Sequence, residues 1–178
     1  MNSIECILEN HESECQCDPE RLQKVLADAV KRTNLVDLTQ VARNVIMFHL
    51  LPAEQMAELN QQYLQHEGLT DVITFSYLEE KPVVSDHEDP WVVGEIFVAP
   101  CVAAARAPVY DQTFSRELLL YLIHGILHLI GLDDQTAEDA AEMRRREADM
   151  MNALSSAHSD LDQLAVWCGE SGPYQEEK

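Results

Sequence analysis

The sequence predicts an α+β domain, a small mixed β-sheet of about four strands packed with about five helices. Three observations carry this. The 178 residues, 46% hydrophobic and 25% charged, suit one soluble domain with a sizeable core. Short runs rich in β-branched and aromatic residues are mixed with stretches of helical periodicity. No internal repeat or low-complexity block interrupts them. Residues 1–152 read as a single domain, and 153–178 as a less patterned, partly disordered C-terminal tail.

The elements follow in order. Residues 4–9 form a short strand. Asp18-Pro19 opens a helix, with proline in its first turn, and Leu22, Val25, Leu26, Ala29 and Val30 fall on one face. "NVIMFHL" is a strand. Pro52 starts a helix striped by Met56, Leu59 and Tyr63 and closed at His66-Glu67-Gly68. "DVITFSY" is a strand, rich in residues that suit a pleated surface. Residues 79–91, "EEKPVVSDHEDPW", are a charged loop with two prolines, of a length often functional. "GEIFVAP" is a strand ended by Pro100. A short alanine-rich helix occupies 101–107. A long helix runs from about Thr113 to Gly131. Another starts near Thr136, where Thr136 and Asp139 form a capping pair, and continues through "AEMRRREADMMNAL". Met143, Met150 and Met151 pack that helix. His49, His66 and His87 read as ordinary surface or edge residues.

Charge and cysteine content limit the function. The net charge is −20, with 32 acidic residues against 12 basic ones, which opposes broad electrostatic capture of nucleic acid. A small basic site, or a metal supplying positive charge, stays open. The five cysteines fit no disulfide framework. Cys15 and Cys17 read as two ordinary thiols in a loop. The N-terminus has no signal-peptide character, and no run of 18 apolar residues exists, so a cytoplasmic protein without a membrane span is expected.

The chemistry concentrates in "HGILHLIGLDD", residues 124–134. Histidines four apart on a helix stand on one face, displaced by about 6 Å along it. His124 and His128 can therefore converge on one ion at roughly 2.0–2.1 Å. Gly131 can end the helix in a left-handed conformation, and Asp134 then returns a carboxylate to the same ion. Three protein ligands leave a position for water, as in catalytic zinc sites. The competing reading is a buried helix carrying two satisfied histidines, because apolar residues surround the pair. Another leaves Asp134 as a helix-start residue beside a weak two-histidine site. The spacing also copies the extended metzincin pattern, a zincin-like metal site on a buried helix. Gly125, however, stands where those proteases carry their glutamate base.

Here the sequence resembles the YbeY endoribonucleases, metal-dependent proteins of ribosomal RNA maturation. That family carries H-G-x-L-H-L-x-G-Y-D-H on a buried helix, its three histidines binding zinc. His124, Gly125, Leu127, His128, Leu129, Gly131 and Asp133 match; Leu132 replaces the tyrosine and Asp134 the third histidine. "LNQQYLQHEGLTDVITF", residues 59–75, and "GEI", 94–96, are similar to two further family blocks, so the resemblance spans about 40–152. The family's arginine after Tyr63 is Leu64 here. Arg43, Arg106, Arg116 or the run Arg144-Arg145-Arg146 are the candidates to compensate, although most of that run reads as a solvated face.

The resemblance implies a single-strand-specific, metal-dependent endoribonuclease. It would act in ribosomal RNA processing and maturation, including the 3′ end of 16S ribosomal RNA, and in ribosome quality control. Its partners would be ribosomal RNA and the small ribosomal subunit, with no DNA. One zinc per chain on His124, His128 and Asp134 would lower the pKa of a bound water or polarise a phosphate oxygen. His124 is thereby a catalytic residue. Glu95 and Asp133 are the candidate bases, Asp133 also suiting a ligand-orienting role. Thr70, Asp71 and Thr74 would line the substrate cleft; a plain core-strand role is the alternative for each. Two other readings stand beside this one: a zinc metalloprotease-like hydrolase, and a non-catalytic ribosome-associated factor with a structural zinc.

Overall fold

A computed structural model describes residues 3–39, 42–80 and 90–170. Of the expected charged loop, residues 81–89 lie outside the described residues, His87 with them, as do 171–178 of the tail.

The chain forms β1 (Ser3–Asn10), β2 (Cys15–Cys17), α1 (Pro19–Lys31), α2 (Leu35–Leu38), β3 (Arg43–Leu50), α3 (Ala53–Leu64), β4 (Val72–Ser76), β5 (Trp91–Val98), α4 (Pro100–Arg106), α5 (Phe114–Leu129), α6 (Ala137–Ala157) and β6 (Ala165–Trp167). The main sheet has the order β1-β3-β5-β4, with β1, β3 and β5 parallel and β4 antiparallel at one edge. This is the mixed four-stranded sheet the strand patterns predict. The helix beyond the expected five is the four-residue α2, too short for any periodicity to show.

Local signals set the helix ends. Asp18 caps α1 by accepting from the Arg21 N–H, and Pro19 occupies its first position. Thr113 and Thr136 do the same for α5 and α6, Thr136 accepting from the Asp139 N–H. Gln65, at φ 56°, turns the chain out of α3 just before the expected stop.

Alternation along the strands gives the sheet two unlike faces. Leu8, Phe48 and Ile96 share register and point into the helical layer, where Phe48 and Ile96 are fully buried. Burying one such side chain is worth about 1.5–3 kcal/mol. α5 lies directly on this face. A Cβ at Gly125 would come within 2.5 Å of Ile96 Cγ2, and one at Gly94 within 2.5 Å of Leu129 Cδ2. Both glycines therefore set how closely the helix approaches the strand. The opposite face carries Glu9, His49, Glu95, Phe97, Ile73 and Phe75.

The boundary expected at 152–153 falls inside α6, and the chain is ordered well past it. Leu154, Leu161, Leu164 and Ala165 are core residues. Ser115 Oγ donates to the Leu161 carbonyl and accepts from the Leu164 N–H. β6 then pairs antiparallel with β2, Cys15 opposite Trp167. Cys15 and Cys17 thus belong to a strand rather than a loop. A three-residue strand whose partner is 150 positions away leaves no local pattern to read. Among the described residues no helix is long and apolar enough to cross a membrane.

Candidate metal centre and its cleft

α5 is apolar on nearly every side, with Leu118, Leu119, Leu122, Ile123, Ile126 and Leu127 all at most 1% exposed. Its partly open stripe holds His124 and His128. Their rings meet nearly perpendicular with centroids 4.4 Å apart, and their Nε2 atoms lie 2.9 Å from each other. Asp134 Oδ2 is 3.7 Å from His124 Nε2, and one ligand atom from each of the three residues falls within 4.8 Å of the others.

The turn after α5 builds this geometry. Gly131 has φ +93°, a conformation that strains other residues. Its N–H bonds the His128 carbonyl and the Leu132 N–H bonds the Leu127 carbonyl, the paired bonds of a Schellman cap. This swings the Leu132 carbonyl back over the helix, where it accepts from His128 Nδ1 at 2.9 Å. A carbonyl only accepts, so the His128 proton sits on Nδ1 and the lone pair on Nε2. His124 is tied in the same way: its Nδ1 meets Glu147 Oε1 of α6 at 2.7 Å. Both Nε2 lone pairs therefore face one gap. At 2.9 Å the two Nε2 atoms need a proton or a metal ion between them, because two bare lone pairs at that distance repel. Burial pulls the His124 pKa down, but the Glu147 bond and charge, with Asp134 and Asp71, outweigh it and raise the imidazole above its usual value.

Two imidazoles and a carboxylate are a zinc-class donor set. Ligand atoms around a tetrahedral zinc stand about 3.3 Å apart, which follows from bonds of roughly 2.0–2.1 Å. The 2.9 Å and 3.7 Å separations bracket that value. The carboxylate behind His124 and the carbonyl behind His128 are the supporting groups such ligands use to fix their tautomers. The residues present fit the ion.

The site opens onto a cleft of about 620 Å³, lined by Asp71, Arg106, Arg116, Glu117, Tyr121, His124, Arg144 and Glu147 among others. Three of the arginines proposed to replace the missing cation at Leu64 are therefore gathered beside His124. Arg116 is aimed by Asp162 at 2.8 Å and Ser155 at 3.2 Å. Arg145 instead pairs with Glu142 and Asp149 on the exposed face of α6, the solvated role expected for most of that run. Arg43 begins β3, and Leu64 sits exposed at the end of α3.

The other expected site residues fare unequally. Asp71 lines the cleft; its Oδ1 accepts from the Val72 N–H and the Thr70 hydroxyl, which fixes the carboxylate. Thr74 pairs with Ile96 and so faces α5, its hydroxyl buried. Asp133 accepts from the Asp134 N–H and shapes the ligand turn rather than facing the cleft. Glu95 is corrected outright. It lies between Gly94 and Ile96, which face α5, so it points to the opposite face, onto Tyr77 and His49. His49 is likewise no plain edge residue but 9% exposed within that group.

Glu147 and Glu117 escaped the sequence reading. Glu147 sits in the stripe Met143–Glu147–Met150–Leu154, and a charge in an apolar 3–4 stripe calls for a partner. Glu117 is 3% exposed in the cleft wall. Burial raises its pKa against the opposing pull of Tyr121 and Arg106, with Asp71 and Glu147 adding to the rise.

Comparison with known proteins gives one answer. The family model described as Endoribonuclease YbeY matches residues 7–155. The Endoribonuclease YbeY of Salinibacter ruber is 33% identical over 126 residues, covering 71% of this chain and 80% of the relative. That of Staphylococcus saprophyticus is 29% identical over 133 residues, covering 75% and 84%. The solution structure of TM1509 from Thermotoga maritima superposes with a TM-score of 0.52 at 27% identity, covering 87% of this chain and 91% of that one.

Proposed function

The chain belongs to the YbeY family of endoribonucleases, and from that membership we propose a zinc-dependent hydrolase that cuts single-stranded RNA during ribosomal RNA maturation. Its substrate on this reading is ribosomal RNA of the small subunit, the 3′ end of 16S ribosomal RNA included, with a part in ribosome quality control. The five cysteines, all unpaired, suit the reducing cytoplasm this role requires. The observation that carries the proposal is the facing Nε2 pair of His124 and His128, closed by Asp134 at the end of a cleft with three arginines.

His124, His128 and Asp134 would hold the zinc, which when bound supplies Lewis acidity to the phosphate and its attacking water. The chain does the rest. Arg106, Arg116 and Arg144 hold backbone phosphates, giving a local cationic track on a protein of net charge −20. Asp71, locked by Thr70 and the Val72 N–H, stands at the cleft wall to orient the attacking water or take its proton. Glu147 keeps the His124 proton on Nδ1. The protease alternative loses ground at Gly125, where any side chain would run into fully buried Ile96.

The test is cleavage of a single-stranded RNA oligonucleotide with zinc present, with casein as control substrate. The parent protein cuts the RNA and spares casein, and His124→Ala loses about 10²–10³-fold in rate, the scale of removing a principal electrostatic stabiliser. Parental cleavage by His124→Ala, or cleavage of casein alone, overturns the proposal.

A further inference from the structure

The sheet face turned away from α5 carries a second group of metal-ligand residues. Glu9 and His49 are register partners on the parallel strands β1 and β3, and neighbouring strands lie about 4.8 Å apart. His11 follows Glu9 by two residues, and its N–H bonds the Leu50 carbonyl, which carries the ladder one step past β1. Residues i and i+2 share a face, so all three side chains converge. Glu9 Oε2 is 3.4 Å from His11 Nε2 and 3.5 Å from His49 Nδ1. One ligand atom from each lies within 4.8 Å of the others. We infer that Glu9, His11 and His49 form a second divalent-metal site, taking a zinc-class ion independently of the site on α5.

The surroundings of His49 carry the inference beyond a surface cluster. The residue is 9% exposed, and its Nε2 is buried without an aligned hydrogen bond. That nitrogen points at Glu95 Oε1, 3.3 Å away, close enough for an ion pair. Glu95 is itself anchored by the Tyr77 hydroxyl, which donates to Oε2 at 2.7 Å. Burial, with the Glu95 bond, pushes the Tyr77 phenol up to about 12, so it stays a donor. Phe97 stacks on the imidazole at 4.5 Å, 11° from parallel, and His11 on its other side at 6.0 Å. With the Nε2 proton turned to Glu95, the Nδ1 lone pair faces Glu9 and His11. A carboxylate behind a histidine is the support that metal ligands use to fix ring and tautomer. The net charge of −20 favours cation binding further. Two imidazoles and one carboxylate from adjacent strands leave a fourth position to solvent, and the donor set suits zinc over calcium or magnesium.

The test titrates metal-stripped protein with zinc ion against a chromophoric chelator. The parent chain takes up two equivalents. His11→Ala and Glu9→Gln, both at exposed positions and so without consequence for folding, each take up one and keep parental RNA cleavage. His124→Ala also takes up one, a different one, and loses cleavage. A single equivalent in the parent, or two retained by both His11→Ala and Glu9→Gln, overturns the second site. Failure of His124→Ala to lose zinc would instead count against the helical site and leave the His11 result standing.

Discussion

The two histidine clusters lie on opposite sides of the sheet and show the same design on different secondary structures. On α5, His124 and His128 stand one turn apart and are backed by Glu147 and the Leu132 carbonyl. On the sheet, Glu9, His11 and His49 meet across two strands, and His49 is backed by Glu95. In each, one histidine nitrogen faces a carboxylate and the other is presented outward. They differ in enclosure. His124 of the helical pair lines a cleft with three arginines, whereas Glu9 and His11 are nearly half exposed, with side-chain accessibilities of 48% and 46%. A metal ligand set is thus not by itself an active site; on the proposed function, the arginines beside the helical pair are what would suit that one of the two to RNA.

The sharpest way to break this comparison is to remove one histidine from each side. His124→Ala is expected to cost about 10²–10³-fold in RNA cleavage, while His11→Ala leaves it unchanged, both read on one oligonucleotide substrate. Next in size is Glu147→Gln. Without the carboxylate charge His124 becomes a poorer ligand, and zinc affinity at the α5 site should fall about tenfold. Chelator competition checks this, and an unchanged affinity would leave Glu147 as packing alone.

Two smaller effects probe what holds the helical cluster in place. Gly125→Ala ought to help by helix propensity, by about 1 kcal/mol. The added Cβ meets Ile96 at 2.5 Å, however, and overpacking costs about 1–3 kcal/mol, so urea denaturation should show a net loss of up to about 2 kcal/mol. The smallest effect concerns Glu117. Its carboxyl is raised by burial in the fold, so between the unfolded and folded values the native state binds more protons, and stability falls as pH rises through that window. Glu117→Gln removes this slope. Its melting temperature relative to the parent should be higher at pH 7 than at pH 4, by about a few degrees. An equal difference at both pH values would show that Glu117 is charged in the fold at no cost.

Legibility in the sequence followed the same division. An i, i+4 pair, a glycine cap and an aspartate three residues on are local, so His124, His128, Gly131 and Asp134 could be read together. Helix and strand placement was legible for the same reason: caps, prolines and apolar stripes are short-range. Glu9, His11 and His49 were not, because register between β1 and β3 brings together residues about 40 apart, and no periodicity records register. Glu95 failed on a related point. Alternation shows that it faces away from Ile96, but which face α5 covers is a tertiary fact. The arginines of the cleft come from α4, α5 and α6 and meet only once those helices pack.

The most direct measurement is metal content by mass spectrometry after exhaustive dialysis, with RNA cleavage assayed on the same samples of parent, His124→Ala, His128→Ala and Asp134→Ala. Two equivalents of zinc and RNA cleavage are predicted in the parent; each histidine variant loses one equivalent and all cleavage, and Asp134→Ala is weakened in both. Parental cleavage persisting in a sample stripped of zinc, or zinc fully retained by both histidine variants, would contradict it.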